Sequence, residues 1–264
     1  MTGRSVSLGR ALLIAYSVLV GMVLVLPTFV VVPVSFSDQK SLRLPKGFST
    51  QWYENFFTDP GWYESAILSL RVGLVVTVIA TVLGTAAALG LNKALGAWKG
   101  AARAWLLAPI IVPGVITAIG IFYVFLKLGL TQNYWGFVIA HTVMAIPFVI
   151  VTVTASLSGF DHQLVKAAQS LGARPWSAFR QVMLPLIAPG VITGALFAFL
   201  TSFDEAIITL FLSGPFTRTL PVKIYQSVTQ EFDPTVAAAS TLLLVVTTLL
   251  MILIGVLSAM RERR

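Results

Sequence analysis

Residues 134–157 read YWGFVIAHTVMAIPFVIVTVTASL, and the stretch that follows, 158–188, reads SGFDHQLVKAAQSLGARPWSAFRQVMLPLIA. The first segment carries no Asp, Glu, Lys or Arg and is long enough, as a helix, to cross a bilayer core of about 30 Å. In the second, Leu164, Ala168, Leu171, Phe179 and Val182 recur at steps close to three or four, with Lys166, Gln169, Arg174 and Arg180 between them. That spacing predicts short amphipathic helices interrupted near Gly172 and Pro175. Such a loop either lies on a membrane surface or docks into another protein.

Working outward, apolar runs at about 11–34, 66–91, 104–126, 189–212 and 235–258 join 134–157 to make six predicted spans. The chain of 264 residues is 57% hydrophobic and 11% charged, with a mean hydropathy of +0.89. This composition excludes an ordinary soluble domain and predicts an all-α integral membrane protein, with residues 1–264 as one transmembrane domain. The first span follows Arg4 and Arg10 but exceeds a signal-peptide core, so it reads as a retained signal anchor. With no cysteine, disulfides, thiolate metal sites and cysteine nucleophiles are excluded.

The net charge of +8 would, in a soluble chain, point to nucleic acid. Its distribution gives a different meaning. Six spans put both termini on one side, where eleven bases fall: Arg4, Arg10, Lys93, Lys99, Arg103, Lys166, Arg174, Arg180, Arg261, Arg263 and Arg264. The other side holds Lys40, Arg43, Lys46, Lys127, Arg218 and Lys223, with Arg71 just inside the second span. This bias predicts cytoplasmic termini and a cytoplasmic 158–188 loop. Trp52, Tyr53, Phe56, Phe57, Trp62 and Tyr63 on the outer side suit an interfacial belt or a short helix on the outer leaflet. Asp59-Pro60 and Asp233-Pro234 read as helix starts. Gly190 and Gly194 offer a slender face for close helix packing, and Pro109, Pro113 and Pro147 predict kinks or local unwinding.

The chain lacks phosphate-binding loops, G-x-S-x-G and H-E-x-x-H, so no catalytic or metal-ligating residues are predicted. His141 lies in a span and His162 in the cytoplasmic loop; each reads as a packing or surface residue. If the protein moves anything uphill, the energy must come from a partner subunit or an ion gradient. Asp204 and Glu205 fall in the outer half of the fifth span, roughly 22 Å along it at 1.5 Å per residue. An unpaired acid there costs on the order of 2.5–3.5 kcal/mol, so the pair should face a water-filled path, meet a cation, or form an ion pair with Arg71 as a fold feature or outer-gate latch.

The run Lys166-Ala167-Ala168-Gln169-Ser170-Leu171-Gly172, continued by Val182-Met183-Leu184-Pro185, closely resembles the E-A-A-x-x-x-G-x9-I-x-L-P coupling motif of ABC importer permeases. Ala167, Ala168, Gly172, Leu184 and Pro185 match by identity and Val182 conservatively, whereas Lys166 replaces the usual glutamate. Ser202–Glu205, Phe211–Pro215, Thr219–Tyr225 and Asp233–Thr235 are similar to the second permease subunit of spermidine/putrescine importers, a group whose relatives also carry opines, phosphonates and other small solutes. The resemblance implies a type I importer permease fold in a bacterial inner membrane, with no cofactor in this chain. ATP and Mg would be bound by two copies of a partner ATPase, which the coupling loop would engage. It further implies a homologous second permease and a periplasmic binding protein docking on 37–65 and 213–234, with Arg218, Lys223, Glu231 and Asp233 as contacts. For a polyamine cargo, Asp204 would face the path, with Glu205 beside it and Tyr123 and Tyr225 supplying aromatic faces.

Overall fold

The computed structural model describes residues 8–40, 45–94, 96–231 and 233–262. Arg4, Arg43, Arg263 and Arg264 lie outside the described residues, as do the side chains of Glu231 and Arg261. The protein is all-helical; two isolated bridges, Ser37 with Phe48 and Gly214 with Thr217, are the β-type pairings among the described residues. Among the described residues, five helices are long and apolar enough to cross a membrane, or six if one bent pair is counted as a single span. The chain divides into two compact units.

The first unit comprises residues 1–60 and 226–248. It contains α1 (Leu8–Ser35), α2 (Gln51–Thr58) and the start of α12 (Thr235–Glu262). Two of the outer aromatics anchor α2 to the end of α1: Trp52 Nε1 donates to the Ser37 carbonyl at 2.7 Å, and the Tyr53 hydroxyl bonds the Ser35 hydroxyl at 2.7 Å. Asp233 Oδ1 accepts from the Thr235 amide at 2.9 Å and Asn55 Nδ2 donates to Thr235 Oγ1 at 2.7 Å. The Asp-Pro pair thus does open α12, because the carboxylate satisfies an amide that has no partner within the helix.

The second unit comprises residues 61–225 and 249–264. Its helices are α3 (Pro60–Lys93), α4 (Ala97–Ile111), α5 (Gly114–Leu128), α6 (Tyr134–Ser158), α7 (Gln163–Ser170), α8 (Pro175–Ala178), α9 (Leu184–Phe203), α10 (Ile207–Leu212) and α11 (Leu220–Gln226). α6, the segment quoted first, is the most enclosed span and packs along α9. Val149 on α6 sits between two glycines: a Cβ on Gly84 of α3 would lie 2.6 Å from Val149 Cβ, and one on Gly194 of α9 would lie 3.1 Å from Val149 Cα. Gly190 similarly abuts the Thr152 carbonyl, 2.7 Å from where its Cβ would be. The slender Gly190–Gly194 face therefore serves packing within this chain, where dispersion contact between closely spaced backbones holds membrane helices together.

Two expected spans differ from those observed. The 104–126 run is not one helix: α4 and α5 meet at 100°. Pro113 has no amide to donate, and its ring drives Val112 out of the helical region to φ −73°, ψ 130°. Pro147, by contrast, is accommodated inside α6. The expected 189–212 helix starts earlier and stops earlier. Helical structure runs from Pro175 through a five-residue π-helical turn, Phe179–Met183, into α9, and ends at Phe203. Residues 204–206 are non-helical and α10 follows separately. The loop expected over 158–188 is accordingly limited to 159–174 around α7. Trp62 and Lys223 also depart from their expected places at the outer interface and docking rim: Trp62 is fully buried, and Lys223 is buried with its ammonium 5.3 Å from the Trp62 ring centroid.

Candidate coupling turn and substrate path

The coupling motif folds as an exposed helix closed by a specific turn. α7 has no buried residue; Lys166 and Ala167 are exposed, while Ala168 is half-buried. Gly172 adopts φ +89°. Its amide donates to the Gln169 carbonyl at 2.9 Å and the Ala173 amide donates to the Ala168 carbonyl at 3.0 Å, the paired bonds of a Schellman cap. The motif glycine is thus a conformational requirement, because an L side chain in the left-handed region costs about 1–2 kcal/mol. Leu171 within the turn and Trp176 beyond it stand exposed. Val182, Leu184 and Pro185 lie where the π turn passes into α9; the Leu184 amide reaches back five residues to the Phe179 carbonyl. The wider turn sits just ahead of Pro185, a residue with no amide to give. Asn92 Nδ2 donates to His162 Nε2 at 3.0 Å, tying the inner end of α3 to the residue that precedes α7.

Asp204 and Glu205 occupy the break between α9 and α10, and the local chemistry separates their roles. Glu205 Oε1 accepts from the Ile208 amide at 2.9 Å, so this half-buried carboxylate satisfies the first turn of α10. Asp204 is exposed, and its carboxylate has no side-chain hydrogen bond or ion pair among the described residues. It stands at the C-terminal end of α9, where unpaired carbonyls concentrate the negative end of the helix dipole. A carboxylate and a helix C-terminus together attract a cation.

The remaining predicted residues are dispersed. Arg71 forms no ion pair with Asp204 or Glu205 in this structure; it lines a separate hollow with Tyr63, Glu64, Ile67, Leu68 and Tyr134, and its carbonyl accepts from the Tyr134 hydroxyl at 3.3 Å. Tyr123 is exposed on α5 and already carries the Lys127 ammonium 4.3 Å from its ring centroid. Tyr225 is exposed on α11. Three residues not singled out as site residues by the sequence meet behind the break. His141 on α6, fully buried, bonds the Ser202 hydroxyl through Nδ1 at 2.9 Å and the Thr209 hydroxyl through Nε2 at 2.8 Å. A histidine in an apolar span was the available signal, but its partners lie more than sixty residues away. Among the described residues no cluster of His, Asp or Glu could hold a metal ion.

A helical membrane protein with an exposed, glycine-capped loop helix and a broken, acid-bearing span has the parts of a transport permease. The sequence profile of the binding-protein-dependent transport system inner membrane component family matches residues 80–262, and the chain belongs to that family. It is 30% identical over 224 residues to the spermidine/putrescine transport system permease protein PotC of Haemophilus influenzae, covering 85% of this chain and 87% of that one. It is 35% identical over 200 residues to the molybdenum transport system permease protein ModB of Mycobacterium bovis, covering 69% and 74%. A crystal structure of the bacterial alginate ABC transporter in complex with alginate pentasaccharide-bound periplasmic protein superposes with a TM-score of 0.72 over 95% of both chains, at 14% identity. The chain therefore has the type I permease fold of ABC transporters.

Proposed function

We propose that this chain is one of two homologous permeases in a bacterial inner-membrane importer that takes up polyamines, driven by a separate ATPase and supplied by a periplasmic binding protein. The observation that carries the cargo is the α9–α10 break. Asp204 is exposed at a helix C-terminus, while Glu205 is committed to capping α10, so the break attracts positive charge. The relation to PotC favours the same class of cargo. A shallow site of this kind suits a path, since a cation must leave it as readily as it enters. This chain carries out no catalysis. ATP and Mg would be held by the ATPase on the cytoplasmic side, and closure of that partner would push on α7 and its Gly172 turn, reorienting α9 through the continuous helix from Pro175. Lys166, standing where the family has glutamate, would remove one acidic contact without removing the docking helix.

Two measurements test this reading. Mass spectrometry of the ligand carried by the cognate binding protein should find putrescine or spermidine, and proteoliposomes holding the assembled importer should accumulate that ligand only with ATP. An opine or phosphonate in the binding protein would keep the permease and change the cargo; failure of any ATPase to co-purify would sink the importer. The Gly172→Val variant should keep the chain in the membrane, because no atom lies within 4 Å of a Cβ there. Yet ATP-driven uptake should fall by about tenfold, the consequence of about 1–2 kcal/mol of backbone strain at φ +89°. Uptake equal to the parent would show that the turn does not transmit closure.

A further inference from the structure

The break at 204–206 is not left to the flexibility of three residues. Ser202 lies at the end of α9 and Thr209 within α10, and the His141 ring reaches both from α6. The hydrogen bonds define how. Thr209 Oγ1 also reaches the Glu205 carbonyl at 2.9 Å, so the hydroxyl that meets Nε2 is itself tied to the break. In the neutral ring one nitrogen donates and the other accepts, so His141 holds one of the two hydroxyls as donor and the other as acceptor. Both ring nitrogens therefore have a hydroxyl partner, within a site that is fully buried at His141 and Thr209. The ring edge also meets Phe137, with centroids 6.4 Å apart, which limits its rotation.

We infer that His141 is a positioning residue for the substrate path: by clasping Ser202 and Thr209 from a neighbouring helix it sets the angle of the α9–α10 break and thereby the presentation of Asp204. The inference rests on the reading of Asp204 as the acid facing the path. A buried histidine needed only to fill space could be replaced by an apolar side chain of similar size. One that clasps two hydroxyls can be replaced only by a side chain that donates to one and accepts from the other. Glutamine meets that condition; leucine does not, and it leaves both hydroxyls without their cross-helix partner.

Because the chain has no cysteine, Asp204→Cys places a single thiol at the break without further engineering. Its modification by a cationic methanethiosulfonate reagent is to be timed in the assembled importer in membranes, alone and combined with His141→Gln or His141→Leu. The glutamine variant should react within twofold of the parent rate and the leucine variant at a rate changed at least fivefold. In the background retaining Asp204, uptake should follow the same order. Equal thiol rates in all three, with the leucine variant present in the membrane, would overturn the inference. If His141→Leu does not accumulate, Thr209→Val is decided on the same readout. The thiol rate needs neither substrate nor ATP, so a failed clasp and a wrong assignment of cargo give different results.

Discussion

Gly194→Leu is expected to remove most of the folded protein from the membrane. A Cβ at this position would stand 2.6 Å from Thr152 Oγ1 and 3.1 Å from Val149 Cα. The Thr152 hydroxyl cannot swing clear without losing its bonds to the Phe148 and Val149 carbonyls, and an α-carbon in a helix cannot yield at all. α9 would have to move off α6, the packing that centres the second unit. Overpacking a core costs about 1–3 kcal/mol where side chains can adjust, and here the obstruction is backbone. Membrane-extracted protein that elutes as a single species should fall at least tenfold. Gly90→Leu, on the exposed face of α3 with no atom within 4 Å of the added Cβ, should accumulate like the parent. Comparable yields of the two variants would contradict the tight α6–α9 contact.

Asp204→Asn is expected to lower the saturated rate of polyamine uptake by about tenfold to a hundredfold, with the chain's abundance and ATPase association unchanged. The range corresponds to losing a charge-assisted hydrogen bond of about 1.5–3 kcal/mol. Glu205→Gln should have a much smaller effect, since the amide oxygen can still accept from Ile208. Glu205→Leu should lose that cap, a loss of about 0.5–2 kcal/mol where helix N-termini are stripped of their side-chain acceptor. The order of the three variants carries the information. If Glu205→Gln impairs uptake more than Asp204→Asn, the roles assigned to the two acids are reversed.

The helix-and-turn structure of the loop around α7 was readable because its determinants are local. Gly172, the amphipathic spacing of α7 and Pro175 act on neighbours within a few residues, so spacing alone located the turn and the helix on either side. The kink near Pro113 was readable in kind for the same reason, although its 100° angle was not. The end of α9 was not readable. Hydropathy registers Ile207–Leu212 as a continuation of the apolar run, whereas the helix stops because polar side chains at 202, 205 and 209 take up backbone and side-chain partners. The outer aromatics show the same limit. Trp62 has the composition of an interfacial anchor and became core, and Lys223 became its cation.

Apolar length, basic bias and motif spacing are properties of consecutive residues, so residue order is enough to show a charge-poor membrane chain with six apolar runs and a loop that resembles a coupling motif. Folding in three dimensions is what makes Glu205 a cap while Asp204 stays exposed, and what brings Gly84 and Gly194 onto Val149. It alone placed His141 across a break sixty residues away. Each of these depends on backbones from different helices approaching within a few ångströms, and linear order does not encode that approach.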